Sequence, residues 1–278
     1  MNYPTLPLFP GETIARCFNG LSGSPVYLVQ SSSNALFVRK AAVNADVSLR
    51  LEQQFKKLST FQKCSLPGVA SPKILEATYY QDYFYMDLEY ISGLDLIEYS
   101  AITDVSQLKK LGEQLGDFII EMGKYPCVEN PPGNVTQVFY NKTFSLVKKC
   151  PWLSDKLKVE LFLSIKNVTQ LMEGKSSLCH GDLTFENILI DKNGQIWLID
   201  HLDSFCPFYW QDIAKLHQDL SGEWFRFRRP NACVPKYALA HLSNCILERI
   251  CESDPSYYAA HYGLLAFVFA RILPYTTT

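Results

Sequence analysis

Short apolar runs rich in β-branched and aromatic residues, separated by polar turns, recur in the first part of the chain and are typical of β-strands. Four such runs form two pairs, and the polar residues 31–34 between the first two are typical of a hairpin turn. Apolar residues at helical spacing, from Leu49 to Phe61, predict one helix at about 47–62. The predicted strands are 26–29, 35–40, 73–79 and 83–89.

After residue 92 the apolar residues recur every three or four positions, which predicts helices. Thr103 or Asp104 is a candidate N-cap for the first helix, and Asp254 with Pro255 marks the start of the last. One hairpin is predicted among the helices, because a strong turn sequence separates two β-branched runs. The predicted elements are helices at about 136–149 and 154–173 and hairpin strands at 187–190 and 195–199.

Composition and charge exclude several classes of protein. The 278 residues are 47% hydrophobic with a formal net charge of -2, so the strongly basic surface of a nucleic-acid binder is not expected. The most apolar stretch, 259–273, contains His261 and Arg271 and is too short to insert into a membrane. The first residues show no signal-peptide pattern. Nine cysteines without a C-x-x-C pair predict the reducing cytoplasm and argue against a structural zinc site.

The polar string H-G-D-L-T-F-E-N at 180–187 carries the most specific chemistry of the sequence. Asp182 and Asn187 lie five residues apart, and Asp200 ends the second strand of the hairpin. Because the hairpin folds back, we expect Asp200 to return close to Asn187. Carboxylate and carboxamide oxygens suit Mg²⁺, which leaves Asp182 to accept a proton from a hydroxyl group. A chance hairpin with polar loop ends is the alternative.

This arrangement resembles the catalytic loop of the aminoglycoside phosphotransferase and choline kinase superfamily, a branch of the protein-kinase-like fold. The family pattern is H-G-D-x-x-x-x-N followed by I-D, and every position is filled here. The resemblance implies a two-lobed α+β fold. A small nucleotide-binding N-lobe of β-sheet and one helix would occupy 1–92, and a helical C-lobe with the catalytic loop and a metal-binding hairpin would occupy 93–278. It implies Asp182 as catalytic base and Asn187 and Asp200 as Mg²⁺ ligands.

Three further residues are predicted to support this loop. His180 opens the loop, and Asp212 begins a helix that it can cap while, as in the family, it also bonds the catalytic loop. The string D-H-L-D at 200–203 stands where protein kinases have D-F-G. Its last residue, Asp203, is a spare carboxylate, and one hypothesis gives it a role at a second metal ion.

The N-terminal segment offers candidate nucleotide-binding residues. A turn rich in glycine and serine precedes the first predicted strand, and its backbone N–H groups can approach phosphate oxygens. Val38 and Lys40 share one face of the next strand because side chains alternate, whereas Arg39 points the other way. In kinase-like folds such a lysine contacts the α- and β-phosphates and the residue two positions earlier lies against adenine. An exposed strand lysine is the alternative. The turn residues are Gly20, Ser22, Gly23 and Ser24.

A carboxylate from the following helix usually holds that lysine, and Glu52 is the residue predicted for it, with a solvated helix face as the alternative. The segment 86–93 resembles the hinge of kinase-like folds. Adenine is expected to bond backbone groups between Glu89 and Ile91, and because this recognition uses the backbone, the choice between ATP and GTP stays open.

The acceptor is predicted to be a small molecule. Eleven residues separate Asp200 from Asp212, too few for the activation segment with which protein kinases dock peptides. From Gly222 onward the sequence contains six Lys or Arg but only four Asp or Glu, and this excess of basic residues argues against a polycationic acceptor. The alternating string W-F-R-F-R-R at 224–229 can hold a sugar face or an anionic group, or can simply pack as a loop with solvated arginines. A looser similarity to phosphotransferase-like proteins encoded near sugar genes favours a sugar.

The sequence therefore predicts an ATP- and Mg²⁺-dependent phosphotransferase that modifies a hydroxyl of a sugar or amino alcohol. Two alternatives stay open at this point: a non-catalytic kinase-like module that binds a nucleotide or a partner, and a kinase that modifies proteins. The oligomeric state is left open.

Overall fold

The computed structural model describes residues 7–18, 24–126 and 134–275, which form two compact units. The first unit comprises Met1–Ser65, Val69–Gly93 and Leu189–Asp203, and the second comprises Leu66–Gly68, Leu94–Ile188 and Ser204–Thr278. The strands are β1 Thr13–Phe18, β2 Val26–Gln30, β3 Leu36–Ala41, β4 Val69–Ala70, β5 Ile74–Tyr80, β6 Tyr83–Glu89, β7 Gly93–Asp95, β8 Ile188–Asp191 and β9 Ile196–Leu198. The α-helices are α1 Ala45–Lys63, α2 Leu96–Ile102, α3 Val105–Lys124, α4 Val135–Lys149, α5 Asp155–Met172, α6 Trp210–Gly222, α7 Phe225–Arg228, α8 Lys236–Ser253 and α9 Ser256–Ile272.

The first unit is built on an antiparallel sheet with strand order β1-β2-β3-β6-β5. Helix α1 begins after Asn44, whose side chain accepts a hydrogen bond from the Val47 N–H. The apolar face of α1 packs on the sheet through Leu51 and Leu58, which join Met86 in the core of the unit. Strand β3 is the central strand of this sheet. Its successive side chains alternate between the two faces of the sheet.

Arg39 occupies the opposite face of β3 and is 1% exposed. Its guanidinium donates two hydrogen bonds of 2.7 Å to Asp87 on the neighbouring β6 and also binds Glu12. It lies about 5 Å from the rings of Phe9, Phe37 and Tyr85. The buried charge is therefore balanced by two carboxylates and packed between aromatic rings.

The hairpin of β8 and β9 lies mostly in the first unit, whereas the sequence assigns it to the segment 93–278. The reason is a parallel pairing that sequence patterns do not reveal: β4 pairs with β9, with Val69 opposite Ile196 and Ala70 opposite Trp197. The chain passes from the first unit to the second after Gly93. A glycine is required there, because a Cβ would lie 2.6 Å from the carbonyl oxygen of Ile190.

The second unit is helical. Helix α3 begins after Asp104, whose side chain accepts from the Gln107 N–H, and it packs on α8, while α9 packs on α5 and α6. The bounds of α1, α4 and α5 lie within two residues of those predicted from the sequence. The strand β1 and the short helix α2 were not predicted as separate elements. No helix in the described ranges has the length and apolarity that crossing a membrane requires.

Two histidines lie in the core of this second unit. His217 is fully buried, and its ring centroid is 4.9 Å from that of His261. Burial lowers the pKa of His217 from 6.5 to about 3, with a further contribution from His261, and burial also lowers the pKa of His261. Tyr257 places its hydroxyl 2.9 Å from Nδ1 of His261. Both rings are thus held neutral at neutral pH.

This arrangement predicts a specific sensitivity to acid. Below pH 6.5 the unfolded chain binds a proton at His217 whereas the folded chain does not, so stability falls as pH falls. Between pH 6.5 and 4.5 the buried, neutral His217 is expected to lower the free energy of unfolding by about 2 kcal/mol, since each pH unit contributes at most about 1.36 kcal/mol. In urea titrations at pH 6.5 and pH 4.5, the free energy of unfolding of His217→Phe should fall by that much less than the free energy of unfolding of the wild type. His241→Phe, at a partly exposed position, is the control, and equal slopes for the wild type and His217→Phe would contradict the prediction.

Candidate active site

Lys40 of β3 is the first candidate residue that the structure places in a defined contact. Its Nζ lies 2.7 Å from Oδ1 of Asp200 and 3.5 Å from Oε1 of Gln54, and its side chain is 10% exposed. Asp200 follows β9 with a φ of 59°, a left-handed conformation that Asp tolerates better than most residues. The first unit therefore brings together Lys40 and Asp200, two residues that the sequence assigned to phosphate and metal binding.

The expected ion pair between Lys40 and Glu52 is not the contact that the structure shows. Gln54 is the α1 side chain beside Lys40, and Glu52 lies two residues earlier, about 200° around the helix. Its carboxylate interacts with Tyr79 and raises the pKa of that phenol, mainly through a hydrogen bond. The prediction chose the acidic residue of the helix, but helical register decides which side chain faces the strand.

The glycine- and serine-rich turn is only partly described. Gly20, Ser22 and Gly23 lie outside the described residues. Ser24 is buried, and its hydroxyl donates a 2.9 Å hydrogen bond to the carbonyl of Ala41. This bond ties the end of the turn to the end of β3, the strand that carries Lys40.

The other candidate nucleotide-binding residues take ordinary places in the first unit. Val38 packs partly buried against the core cluster. Glu89 ends β6, where its N–H donates to the carbonyl of Lys73 and its carboxylate accepts from the Lys73 N–H at 3.1 Å. Ile91 lies between β6 and β7. The adenine contacts of these residues stay predictions.

Asp182 lies in the second unit, on a loop fixed by its backbone conformation and by contacts to two side chains. Gly181, the preceding residue, has a φ of 92°, a conformation that favours glycine. Oδ1 of Asp182 lies 2.9 Å from Nζ of Lys215. Asn187, at the end of a short 3-10 helix, donates from Nδ2 to the carbonyl of Asp182 at 2.8 Å and to Oδ2 at 3.3 Å. Because Nδ2 makes both of these bonds, Oδ1 is the side-chain atom of Asn187 that could serve as a ligand for a hard cation.

Asp212 holds the start of this loop. Its carboxylate accepts hydrogen bonds from the N–H groups of His180 and Gly181, the latter at 2.8 Å. It does not cap α6, as the sequence suggested, because α6 begins at Trp210 with Tyr209 in the N-cap position. His180 is fully buried, and its Nδ1 lies 3.3 Å from the Asp182 N–H.

Two residues of the loop's support were not predicted from the sequence, Lys215 and Asp219. Asp219 is 1% exposed and accepts 2.9 Å hydrogen bonds from the N–H groups of Phe185 and Phe225. Burial raises the pKa of Asp219 to about 7, although both hydrogen bonds oppose the shift. Asp212, Lys215 and Asp219 occupy positions i, i+3 and i+7 of α6. This spacing can be read from the sequence, and it places the three side chains on one face of the helix.

The aromatic and basic string of 224–229 packs onto the same loop. The ring of Phe225 stacks on Phe185 at 5.7 Å, so this part is core packing. Arg228 lies 2.5 Å from Glu186 of the loop, and Arg229 lies 2.6 Å from Asp95 and 3.4 Å from Glu186. The two arginines are therefore engaged in ion pairs. Trp224 and Phe227 form a stacked pair 4.7 Å apart, with Phe227 58% exposed.

The candidate metal ligands belong to different units, Asn187 to the second and Asp200 to the first. Both offer hard oxygen donors, which fits Mg²⁺, and their joint coordination of a metal ion stays a prediction. Asp203 is exposed in the first unit, and its role at a second metal ion is equally untested.

Comparison with known proteins supports the assignment drawn from the catalytic loop. A model of the phosphotransferase enzyme family matches residues 15–242. Among solved structures, aminoglycoside-3'-phosphotransferase of type VIII is 17% identical with a TM-score of 0.59, covering 93% of this chain and 94% of that one. The streptomycin–ATP complex of APH(2")-IIa is 13% identical with a TM-score of 0.60, covering 95% and 86%. A search of curated protein sequences gives no match.

These likenesses confirm the predicted protein-kinase-like fold, with a small antiparallel-sheet lobe and a helical lobe. They also confirm the predicted resemblance to the aminoglycoside phosphotransferase-like superfamily. Since the family model spans most of its length, the chain belongs to the phosphotransferase enzyme family.

Proposed function

We propose that this protein transfers the γ-phosphoryl group of ATP to a hydroxyl group of a small molecule, with a sugar as the first candidate. The observation that carries the proposal is the construction of the Asp182 loop. Its carboxylate is partly exposed, one oxygen is held by Lys215, and the backbone on either side is fixed by Asp212 and Asp219. A carboxylate positioned in this way can serve as a general base.

Residues of the first unit are assigned to the nucleotide. Lys40, held by Asp200 in this structure, is proposed to bind the phosphates once a nucleotide arrives, and Val38, Glu89 and Ile91 are proposed to contact adenine. Mg²⁺, when bound through Asn187 and Asp200, would neutralise phosphate charge. Catalysis of this kind depends mainly on positioning and on charge stabilisation.

The proposed reaction balances as a direct displacement. The acceptor oxygen forms a bond to the γ-phosphorus while the bond from that phosphorus to the β-phosphate oxygen breaks, and ADP leaves. The proton of the acceptor hydroxyl passes to the carboxylate of Asp182. The reaction needs no covalent enzyme intermediate.

The charges around the loop favour a neutral sugar over a polycationic acceptor. Among the described residues, Asp182, Glu186 and Asp95 are each paired with a lysine or arginine, and Asp212 and Asp219 accept backbone N–H groups. A polycation would have to displace those partners, at the cost of leaving other charges unpaired. The stacked pair of Trp224 and Phe227 offers an aromatic face of the kind that lines small-molecule sites.

Two rival functions are less well supported. The short interval between Asp200 and Asp212 argues against a kinase that docks a protein substrate. The complete set of catalytic-loop residues argues against a non-catalytic module. A cytoplasmic location is also part of the proposal, supported by the eight cysteines among the described residues that form no disulfide.

Thermal unfolding with and without Mg-ATP tests the nucleotide site. At about a hundred times the Kd, binding should stabilise the wild type by about 2.7 kcal/mol, a shift of a few degrees for a chain of this size. Asp200→Asn should lose the Mg²⁺-dependent part of the shift, whereas Asp155→Asn, at an exposed carboxylate of α5, should keep it. The absence of a shift with both ATP and GTP would favour the non-catalytic module.

A screen for acceptors then tests the reaction itself. ADP release should rise with neutral sugars and sugar acids and should rise less with aminoglycosides. Stimulation by aminoglycosides alone would contradict the charge argument, and labelling of proteins alone would favour the protein kinase.

A further inference from the structure

Side chains on one face of α6 hold the catalytic loop in place. Asp212 binds the N–H groups at the start of the loop, and Asp219, two turns later, binds the Phe185 N–H near its end. Lys215 lies between them on the same face and contacts Asp182, the residue between those two backbone anchors. Three successive turns of one helix thus hold three successive parts of the loop.

Lys215 differs from the surface lysines of the same unit. Its side chain is 18% exposed and that of Asp182 is 26% exposed. In the surface pair of Lys158 and Asp155 the distance is similar, 2.8 Å, but Asp155 is 96% exposed. An exposed pair contributes little because water competes with it, whereas the Lys215 pair is partly shielded and joins two backbone-anchored elements.

The loop itself offers no substitute for this cation. The string H-G-D-L-T-F-E-N at 180–187 contains neither lysine nor arginine. Arg228 and Arg229 contact the loop as well, but they bind Glu186. Lys215 is therefore the cation that the described structure directs to Asp182.

We propose that Lys215 is a positioning residue for Asp182: its ammonium group fixes Oδ1 and so presents Oδ2 to the acceptor hydroxyl. This inference rests on the proposed function and goes beyond it by assigning a role to a residue of α6. Within the described part of the chain, the hydrogen bond to Oδ2 is the 3.3 Å contact from Asn187, whose shorter bond goes to the Asp182 carbonyl.

During transfer the acceptor hydroxyl gives its proton to Oδ2 of Asp182 as the new oxygen–phosphorus bond forms and the bond to ADP breaks. Lys215 keeps its proton throughout. Its contribution is orientation: a carboxylate free to rotate presents a productive geometry for a smaller fraction of the time.

The first test compares Lys215→Met with Lys215→Arg, using Lys158→Met as the matched control. With an acceptor found in the screen, Lys215→Met is expected to lower kcat about tenfold to a hundredfold, as misplacement of a catalytic group does. The KM for Mg-ATP should stay within about twofold, because a group that acts only on the acceptor side leaves nucleotide binding unchanged. Lys215→Arg should recover part of kcat, and Lys158→Met should match the wild type.

A double-mutant cycle supplies a measurement that needs no activity. The change in Tm caused by Lys215→Met should largely vanish in an Asp182→Ala background, which removes both carboxylate oxygens, if the two side chains are coupled. Full additivity would overturn the pair, and a kcat unchanged by Lys215→Met would overturn the positioning role. If the wild type transfers phosphate to no acceptor, both the proposed function and the role of Lys215 are wrong. If the wild type is active and Lys215→Met is equally active, only the role of Lys215 is wrong.

Discussion

Asp182→Asn is expected to lower phosphoryl transfer by about a hundredfold to ten-thousandfold, the range over which general bases contribute. Asparagine keeps the shape of the side chain and an oxygen that can accept from Lys215, but it cannot take the proton of the acceptor. Nucleotide affinity should stay close to that of the wild type, since phosphate and adenine binding are assigned to residues of the first unit. Steady-state kcat and the calorimetric Kd for Mg-ATP measure the two effects separately.

Asp155→Asn is the matched control, because this carboxylate also lies 2.8 Å from a lysine, Lys158, but on the surface of α5. It should leave kcat unchanged. Normal turnover by Asp182→Asn would show that another group accepts the proton. A parallel loss of nucleotide binding would instead point to a general disturbance of the loop.

Arg39→Leu is expected to cause the largest loss of stability, about 3–5 kcal/mol, the cost of leaving buried carboxylates without their cation. Arg39 is 1% exposed and holds both Asp87 and Glu12. Burial raises the pKa of Asp87, and the Arg39 guanidinium opposes that shift. Without the guanidinium the pKa of Asp87 in the folded state should rise further, so the folded variant keeps the Asp87 proton to a higher pH than the folded wild type does. The deficit should therefore grow as pH rises from the acid range toward neutrality.

Urea unfolding at pH 7 and at pH 4.5 measures this deficit. Arg16→Leu, at an exposed arginine of strand β1 in the same sheet, should change the free energy of unfolding by less than about 0.5 kcal/mol. The double variant Arg39→Leu, Asp87→Leu should recover part of the loss, because it removes the carboxylate left without its partner. A deficit below about 1 kcal/mol in the single variant would mean that this cluster contributes no more than a surface pair.

Local patterns in the sequence determined most of the elements. The β-branched and aromatic runs at 26–29 and 35–40 and the helices predicted at 136–149 and 154–173 match observed elements within two residues. These predictions succeed because the apolar period reflects which face of each element is buried, and that period is written in neighbouring residues. The string H-G-D-x-x-x-x-N likewise indicated the family, since its spacing places the required side chains within one loop.

Only the tertiary structure decided which distant residues meet. The pairing of β4 with β9 moved the hairpin into the first unit, helical register brought Gln54 rather than Glu52 to Lys40, and packing of α6 brought Lys215 to Asp182. None of these contacts joins sequence neighbours, so no local period encodes them. A sequence specifies the chemical groups and the local geometry of this protein, whereas the pairs that set the position and charge of those groups arise only when separate elements pack together.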